Sequence, residues 1–357
     1  MGKVRPLTDA DMPGVVRLYE RVFRSRLAGS ADGVEPYLVE IFCRNPWRDE
    51  TLPSLVCEEP DGRIVGCIGV VPRPMSLNGR SIRAAITHTF MVEPDRRSML
   101  AGIQLLQAFL AGPQDVSLAE GNDISRRLWE GVGGVTSVLY SLNWTRPLRP
   151  ARYILKVLRR RGWSALWESA LRPLVSATDV VVTRSDFRPR ASRLSAEELT
   201  EETFLAGLAS VVGDRALRPE YDAHSLTWLL ERLAAKTGRG DFRKVVLRDG
   251  RRELAGWYLY YLNRGGLSEV VQVAARPDSM SEVVEHLLGD AWRGGAVAVS
   301  GQLDPGVIHT APDRYRLFHH DGRAWMLIHS RDPAVLAAFY RGDAFLTRLE
   351  GEWWIGI

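Results

Sequence analysis

The sequence predicts an α/β fold of the mixed (α+β) kind, two mixed sheets flanked by helices and set in tandem. Three observations carry this expectation. The chain has 357 residues, about twice a usual domain. Its first half reads β-α-α-β-β-β-α-β-α-β, the order of a mixed sheet with helices on both faces. Its second half reads α-α-β-β-β-α-β-α-β with slight sequence identity to the first, so an architecture repeats and a sequence does not.

Val4 to Leu7 is short and extended, and Thr8 with Asp11 makes a variant capping box. Val15, Val16, Leu18, Tyr19, Val22 and Phe23 keep helical spacing, and Tyr37, Leu38, Ile41 and Phe42 suggest a second helix. Three strands are expected at Leu55 to Glu58, Ile64 to Val71 and Ile82 to Val92. Asp61-Gly62 and Asn78-Gly79 supply the turns between them, because these pairs accept positive φ. A helix carries Ile103, Leu105, Leu106, Phe109 and Leu110 on its apolar face. Asp115 to Ala119 reads as a buried strand, Ile124, Leu128 and Trp129 as a helix, and Val135 to Leu142 as a closing strand.

The expected organisation is a first domain at 1–145, a basic Pro/Arg-rich linker at 146–193 and a second domain at 194–357. In the linker a basic amphipathic helix is expected over 151–171. Ile154, Val157 and Leu158 lie on one side, Lys156, Arg159, Arg160 and Arg161 elsewhere, and Trp163, Leu166 and Trp167 continue the apolar side. Two readings stay open: an interdomain helix with a solvated face, or a peripheral membrane or protein contact, since Trp and Arg together suit an interface. In the second domain two helices precede strands at Lys244 to Arg248, Leu254 to Leu262 and Leu267 to Ala275. A helix from Met280 to Trp292, strands at Ala296 to Gln302 and Ala324 to His329, and a helical tail complete it.

Composition narrows the function classes. There are 47 basic against 43 acidic residues, a balance rather than a basic tail, so nucleic acid is not expected as the main partner. Three cysteines without a repeated spacing argue against a disulfide framework or a zinc site, and His309, His319, His320 and His329 fit no standard metal spacing. The N-terminus has no apolar signal core, Pro6 stands where a myristoylation signal needs Ser or Thr, and no apolar run is long enough to span a membrane. A cytoplasmic protein without a metal is the expectation.

Two motifs carry chemistry. The first is Val92-Glu-Pro94-Asp-Arg96-Arg97-Ser98-Met99-Leu100-Ala101-Gly102, at the junction of a strand and a helix. Backbone N–H groups at a helix N-terminus, aided by the helix dipole, favour a phosphate. The second is Asn122-Asp-Ile-Ser125-Arg-Arg-Leu128-Trp129-Glu-Gly-Val-Gly133-Gly134. On these motifs the first half resembles the GNAT superfamily of N-acetyltransferases over about 140 residues. The resemblance implies that acyl-CoA lies in a splay after the third strand, with Phe90, Met91, Val92, Arg96, Arg97, Ser98, Met99, Leu100, Ala101, Gly102, Asn122, Ser125 and Trp129 as cofactor-binding positions. Met99 stands where the family has its central Gly, and Trp129 where the family has the Tyr that protonates the departing thiolate. Indole is no acid at neutral pH. Helix capping alone also explains Asn122.

The candidate catalytic residues are His88, Glu120 and Tyr140. Histidine is a residue type suited to general-base work near neutral pH, and strand alternation places His88 on the side of Val92. Glu120 ends the strand beside the expected splay. Tyr140 is a substitute acid or a core tyrosine. The function expected from the resemblance is an acyl-CoA-dependent N-acyltransferase, an acetyltransferase first, acting on a small-molecule amine or hydroxyl. Its oxyanion would be held by a backbone N–H near Phe90 to Val92. A non-catalytic GNAT-shaped binding module, or an aminoacyl transferase of the Fem type, are the alternatives. The second half lacks the Gly-rich loop after Val273-Ala-Ala-Arg276, so acyl-CoA is not expected there.

Overall fold

The computed structural model describes residues 2–23, 33–94, 98–160, 188–305, 317–320 and 324–352. The first half supplies β1 (Lys3–Pro6), α1 (Met12–Phe23), α2 (Val34–Cys43), β2 (Leu55–Glu58), β3 (Ile64–Leu77), β4 (Arg80–Val92), α3 (Ser98–Leu110), β5 (Val116–Gly121), α4 (Asp123–Gly131) and β6 (Val135–Ser137). A helical turn α5 (Val138–Ser141), strand β7 (Asn143–Pro147) and helix α6 (Pro150–Arg160) come next. The second half contains β8 (Ser195–Glu198), α7 (Glu201–Val212), β9 (Leu217–Pro219), α8 (Ala223–Ala234), β10 (Asp241–Arg248), β11 (Leu254–Leu262), β12 (Leu267–Ala275), α9 (Met280–Arg293), β13 (Ala298–Gln302), β14 (Leu317–His319), β15 (Trp325–His329) and α10 (Pro333–Tyr340). No helix among the described residues is long and apolar enough to cross a membrane.

These elements form two mixed sheets flanked by helices. The first sheet runs β1-β2-β3-β4-β5-β15-β6 with β9 added on β3, and the second runs β14-β7-β13-β12-β11-β10-β8. Each sheet has antiparallel hairpins followed by one parallel step. The parallel pairs are short in both: Ala84 to Ile86 with Val116 to Leu118 in the first, and Leu267 to Glu269 with Ala298 to Ser300 in the second. Beyond them the strands separate. Because a parallel step needs a crossover, α3 and α9 occupy the same place in the two halves.

The two sheets exchange strands. β15, from late in the chain, lies between β5 and β6, pairing Met326 with Glu120 on one side and with Ser137 on the other. β7, which spans the expected boundary at residue 145, leaves the first sheet and pairs with β13 and β14 in the second. The expected strand Val135 to Leu142 is therefore corrected to a three-residue strand and a helical turn. The Ser141 hydroxyl donates to the Ser137 carbonyl four residues back and accepts the N–H of Met326, which turns the chain out of the sheet. The exchange also merges the interior. One apolar cluster joins Leu18, Leu38 and Phe42 of the first half to Phe204, Leu226, Trp257 and Tyr261 of the second.

On the outer face of the first sheet, Leu105, Leu106 and Phe109 of α3 pack with Ile68, Ala85 and Trp129. Trp129 is buried, and its indole N–H donates to the Ile328 carbonyl of β15 at 3.0 Å. The chain turns back beneath that ring at Gly134, where a Cβ would run into the indole. A side chain at 134 must therefore displace Trp129 and its buried hydrogen bond. Gly134→Ala is expected to lower stability by about 1–3 kcal/mol, read by chemical denaturation. A variant as stable as the wild type would show that the α4–β15 contact is dispensable.

Candidate active site

The site grows from an irregularity in β4. Opposite β3, Cys67 pairs with Met91, but Gly69 pairs with His88, so two residues of β4, Thr89 and Phe90, face the single Ile68. This is a β-bulge. Thr89 takes up the extra length with φ of 52°, a left-handed conformation that costs a β-branched residue about 1–2 kcal/mol. Gly69 makes the bulge possible, since a Cβ there would sit 2.6 Å from the His88 carbonyl oxygen and would meet the Phe42 ring. The extra residue also reverses the alternation expected beyond it. His88 comes to share a face with Met91, whereas Val92 packs on the other side with the α3 cluster. The expectation that His88 faces with Val92 is thus overturned by the bulge.

Past Ile86 and Leu118 the strands β4 and β5 have parted, and a carboxylate bridges the gap. Glu352 accepts the backbone N–H of Thr89 on β4 at 3.2 Å through Oε1 and that of Glu120 on β5 at 3.3 Å through Oε2. The same Oε1 lies 3.6 Å from Nδ1 of His88. On the other side of the imidazole, Nε2 is 3.5 Å from the Tyr37 hydroxyl, and the Phe42 ring meets His88 edge-on at 5.7 Å. His88 is 5% exposed. Burial first, and the charge of Glu352 among other neighbours, push the Tyr37 phenol well above its usual range. Tyr37 therefore stays a neutral hydroxyl able to donate or accept.

The other candidates are distributed around this gap. Glu120 lies one residue before the end of β5, and its carboxylate occupies the space that a side chain on Gly351 would need, which puts two carboxyl side chains at one end of the splay. Asn122 caps α4 by accepting the N–H groups of Ile124 and Ser125, both at 3.0 Å. Ser125 packs beside Gly121. At the head of α3, Leu100 is exposed, Ala101 is buried and Gly102 lies against Val92 and Phe90. Glu93 forms an ion pair with Arg21 of α1 at 2.6 Å. Arg96 and Arg97, with the side chains of Ser98 and Met99, lie outside the described residues, as does His309. Among the described residues no group of three or more potential metal ligands converges.

Tyr140 has a different environment. It is 2% exposed, its hydroxyl donates to the Ala344 carbonyl at 2.7 Å and accepts the Ala344 N–H at 3.0 Å, and Phe339 packs edge-on against its ring. Burial raises its pKa above the usual phenol range. The structure does not bring it to the splay. Three groups at the splay had not been singled out from the sequence: Thr89, Tyr37 and Glu352. Tyr37 reads as one more apolar position of a helix, and Glu352 lies more than two hundred residues away from its partners in the chain. Only the closeness of Thr89 to a conspicuous His offered a signal.

The site is thus a mixed sheet in which the bulged β4 parts from its parallel neighbour β5, with helix α3 starting just past the splay. Residues 3–115 match the family model described as an acetyltransferase (GNAT) domain; this part of the chain is a GNAT-type domain. Among the solved structures of similar fold are three that match over most of this chain. A GCN5-related N-acetyltransferase from Anabaena variabilis is 12% identical with a TM-score of 0.58, the match covering 92% of this chain and 72% of that one. A conserved protein of unknown function from Enterococcus faecalis, a probable N-acyltransferase, is 11% identical with a TM-score of 0.59 over 92% and 73%. A GCN5-related N-acetyltransferase from Kribbella flavida is 14% identical with a TM-score of 0.57 over 95% and 74%. At such identities the likeness is one of fold. No curated protein matches the sequence.

The double hydrogen bond at Ala344 sets a test for Tyr140. Tyr140→Phe leaves a buried carbonyl and a buried N–H without their partner, and is expected to cost about 1–3 kcal/mol of stability with turnover per folded molecule unchanged. A fall in kcat at undiminished stability would return Tyr140 to the chemistry.

Proposed function

We propose that the protein is an acyl-CoA-dependent N-acyltransferase, an acetyltransferase in the first instance, acting on the amine of a small molecule at the β4–β5 splay. The observation that carries this reading is the juxtaposition at the bulge: a backbone N–H that faces the gap, beside a buried imidazole flanked by a carboxylate and a phenol. The head of α3 suits the phosphates of coenzyme A, because a helix N-terminus offers unpaired N–H groups and a favourable dipole. Bound acyl-CoA supplies a thioester carbonyl that an amine can attack.

The residues divide the remaining work. The Thr89 N–H donates to the carbonyl oxygen as negative charge develops on it, taking up the role now filled by the Glu352 carboxylate. It stands one residue before the stretch from Phe90 to Val92 that the sequence marks for this purpose. His88 accepts the proton that the attacking nitrogen loses. Nε2, the ring nitrogen nearer the Tyr37 hydroxyl, is the accepting atom, reached directly or through that hydroxyl. At 3.6 Å from Nδ1 the Glu352 carboxylate is an electrostatic neighbour that offsets the charge the ring gains. The proton returns to the departing thiolate, giving the amide and free coenzyme A. Trp129 takes no part, since its N–H is committed to Ile328.

Calorimetry with acetyl-CoA tests the whole reading: no heat of binding, together with no thermal shift on adding coenzyme A, would sink it. For the division of labour, His88→Gln is expected to lower kcat/KM by about 10²-fold or more while the acetyl-CoA Kd measured by calorimetry stays the same. Glu352→Gln keeps the shape and removes the charge. It is expected to lower kcat by about tenfold, and turnover equal to the wild type would exclude Glu352 from the proton path.

A further inference from the structure

The carboxylate of Glu352 stands in the splay as a ligand would. One oxygen takes the Thr89 N–H of β4 at 3.2 Å, and the other takes the Glu120 N–H of β5 at 3.3 Å. A single side chain thus spans both strands beyond the point where their pairing ends, at Ile86 and Leu118. The Thr89 N–H is also the donor assigned above to the thioester oxygen. A backbone N–H carries one hydrogen, so a second acceptor gains a full bond only when the first leaves.

The segment that brings Glu352 here has a fixed root and a loose tip. Glu350, two residues back, is 2% exposed. It accepts the Thr347 N–H at 2.7 Å and the Gln272 amide at 3.0 Å, with the Tyr221 hydroxyl as a further donor. Leu346 and Leu349 are buried in the same segment, and the Gly351 N–H returns to the Thr347 carbonyl. The Glu352 side chain, by contrast, is 23% exposed. Its two hydrogen bonds are longer than the usual N–H to oxygen distance of about 2.9–3.0 Å, although a charged acceptor ordinarily shortens such bonds. Rotation of this one side chain frees both N–H groups while Glu350 and the backbone stay held. The freed carboxylate remains tethered near the imidazole, whose gain of charge it offsets.

We propose that Glu352 is a displaceable gate on the splay: the unliganded protein closes the cleft with its own carboxylate, and acyl-CoA binds by driving that carboxylate off the Thr89 and Glu120 N–H groups. The identity of the ligand rests on the acyl-transfer reading; the closure does not. When only the open fraction of a protein binds, its affinity falls by that fraction. The gate therefore weakens acyl-CoA binding, and its removal strengthens it. A side chain that merely supported the site, or one that held the ligand, would give the opposite sign.

The test compares the full-length wild type with Glu352→Ala and Glu352→Gln, using acetyl-CoA in calorimetry. Glu352→Ala is expected to tighten binding about tenfold, which corresponds to an open fraction of about one in ten. Glu352→Gln keeps the shape of the tip and offers one oxygen in place of two, so its affinity is expected to fall between the others. It also keeps the test decisive if the alanine variant does not fold. Without ligand, amide hydrogen exchange at Thr89 and Glu120, resolved by mass spectrometry, is expected to speed up in Glu352→Ala. Exchange at Leu118, in the paired part of β5, is expected to stay the same. Salt separates competition for the N–H groups from repulsion between the carboxylate and the anionic ligand, since exposed charges are screened at about 0.5 M NaCl. The tightening is expected to persist there. Variants that bind acetyl-CoA as the wild type does or more weakly, a tightening that vanishes at high salt, or unaltered exchange at both amides would overturn the gate and leave the acyl-transfer reading standing. Faster exchange with no acetyl-CoA binding by any of the three proteins would instead overturn the acyl-transfer reading and leave the closure in place.

Discussion

The pairing of β15 with β5 and β6 is the constraint on which the rest of the structure depends. Five residues of β15 register against Ser117 to Gly121, and three of them also register against Val135 to Ser137. Without this strand β5 would have no neighbour on that side. The Ile328 carbonyl would also lose its role as acceptor for Trp129, and α4 would lose its anchor. Because β15 comes from late in the chain, the first sheet closes only through pairing between residues some two hundred positions apart. The reciprocal transfer of β7 to the second sheet makes the dependence mutual. Such long-range pairing pays its loop-closure entropy early and is rewarded late.

The segment after β15 is carried along with it. Beyond α10 the chain passes Leu217, pairing at Asp343 to Phe345, and then crosses the divergence of both sheets. Where β12 and β13 part, Arg348 donates to the Val270 carbonyl and to the Asn143 side chain. Where β4 and β5 part, Glu352 takes two backbone N–H groups. Between them Glu350 is buried and accepts from Thr347, Gln272 and Tyr221. Burial pushes the Glu350 carboxyl above the usual carboxylate range, opposed by the hydrogen bonds from Thr347 and Tyr221 and by the charge of Arg73. The two splays, equivalent by architecture, are thus met by side chains of opposite charge from one segment. A cation sits at the second, where the phosphate-binding loop is missing, and an anion at the first, beside the imidazole.

Much of the fold was legible in the residues. Hairpin turns at Asp61-Gly62 and Asn78-Gly79, β-rich runs between them and helical spacing elsewhere were enough to place most elements, since these signals act over a few residues. Asn122 read correctly as a helix cap for the same reason. His88 was legible as a titratable group on the right strand, but its direction was not. A bulge changes the parity of a strand by one residue, and neither Thr89 nor Phe90 announces that it will adopt it. Tyr140 looked as eligible as any other tyrosine near a motif, because saturation by the Ala344 backbone depends on a segment two hundred residues later.

The sequence by itself determined the local periods, the turns, the helix starts and the resemblance of Val92 to Gly134 to an acyl-CoA-binding motif. Each of these is written in residues near one another along the chain. Tertiary structure alone decided which strand closes each sheet, which face His88 occupies, and that Glu352 and Tyr37 stand on either side of it. Those outcomes come from backbone hydrogen bonds, which every residue can make and which leave no trace in side-chain identity. They come also from a merged core that fixes distant segments together only once both sheets exist.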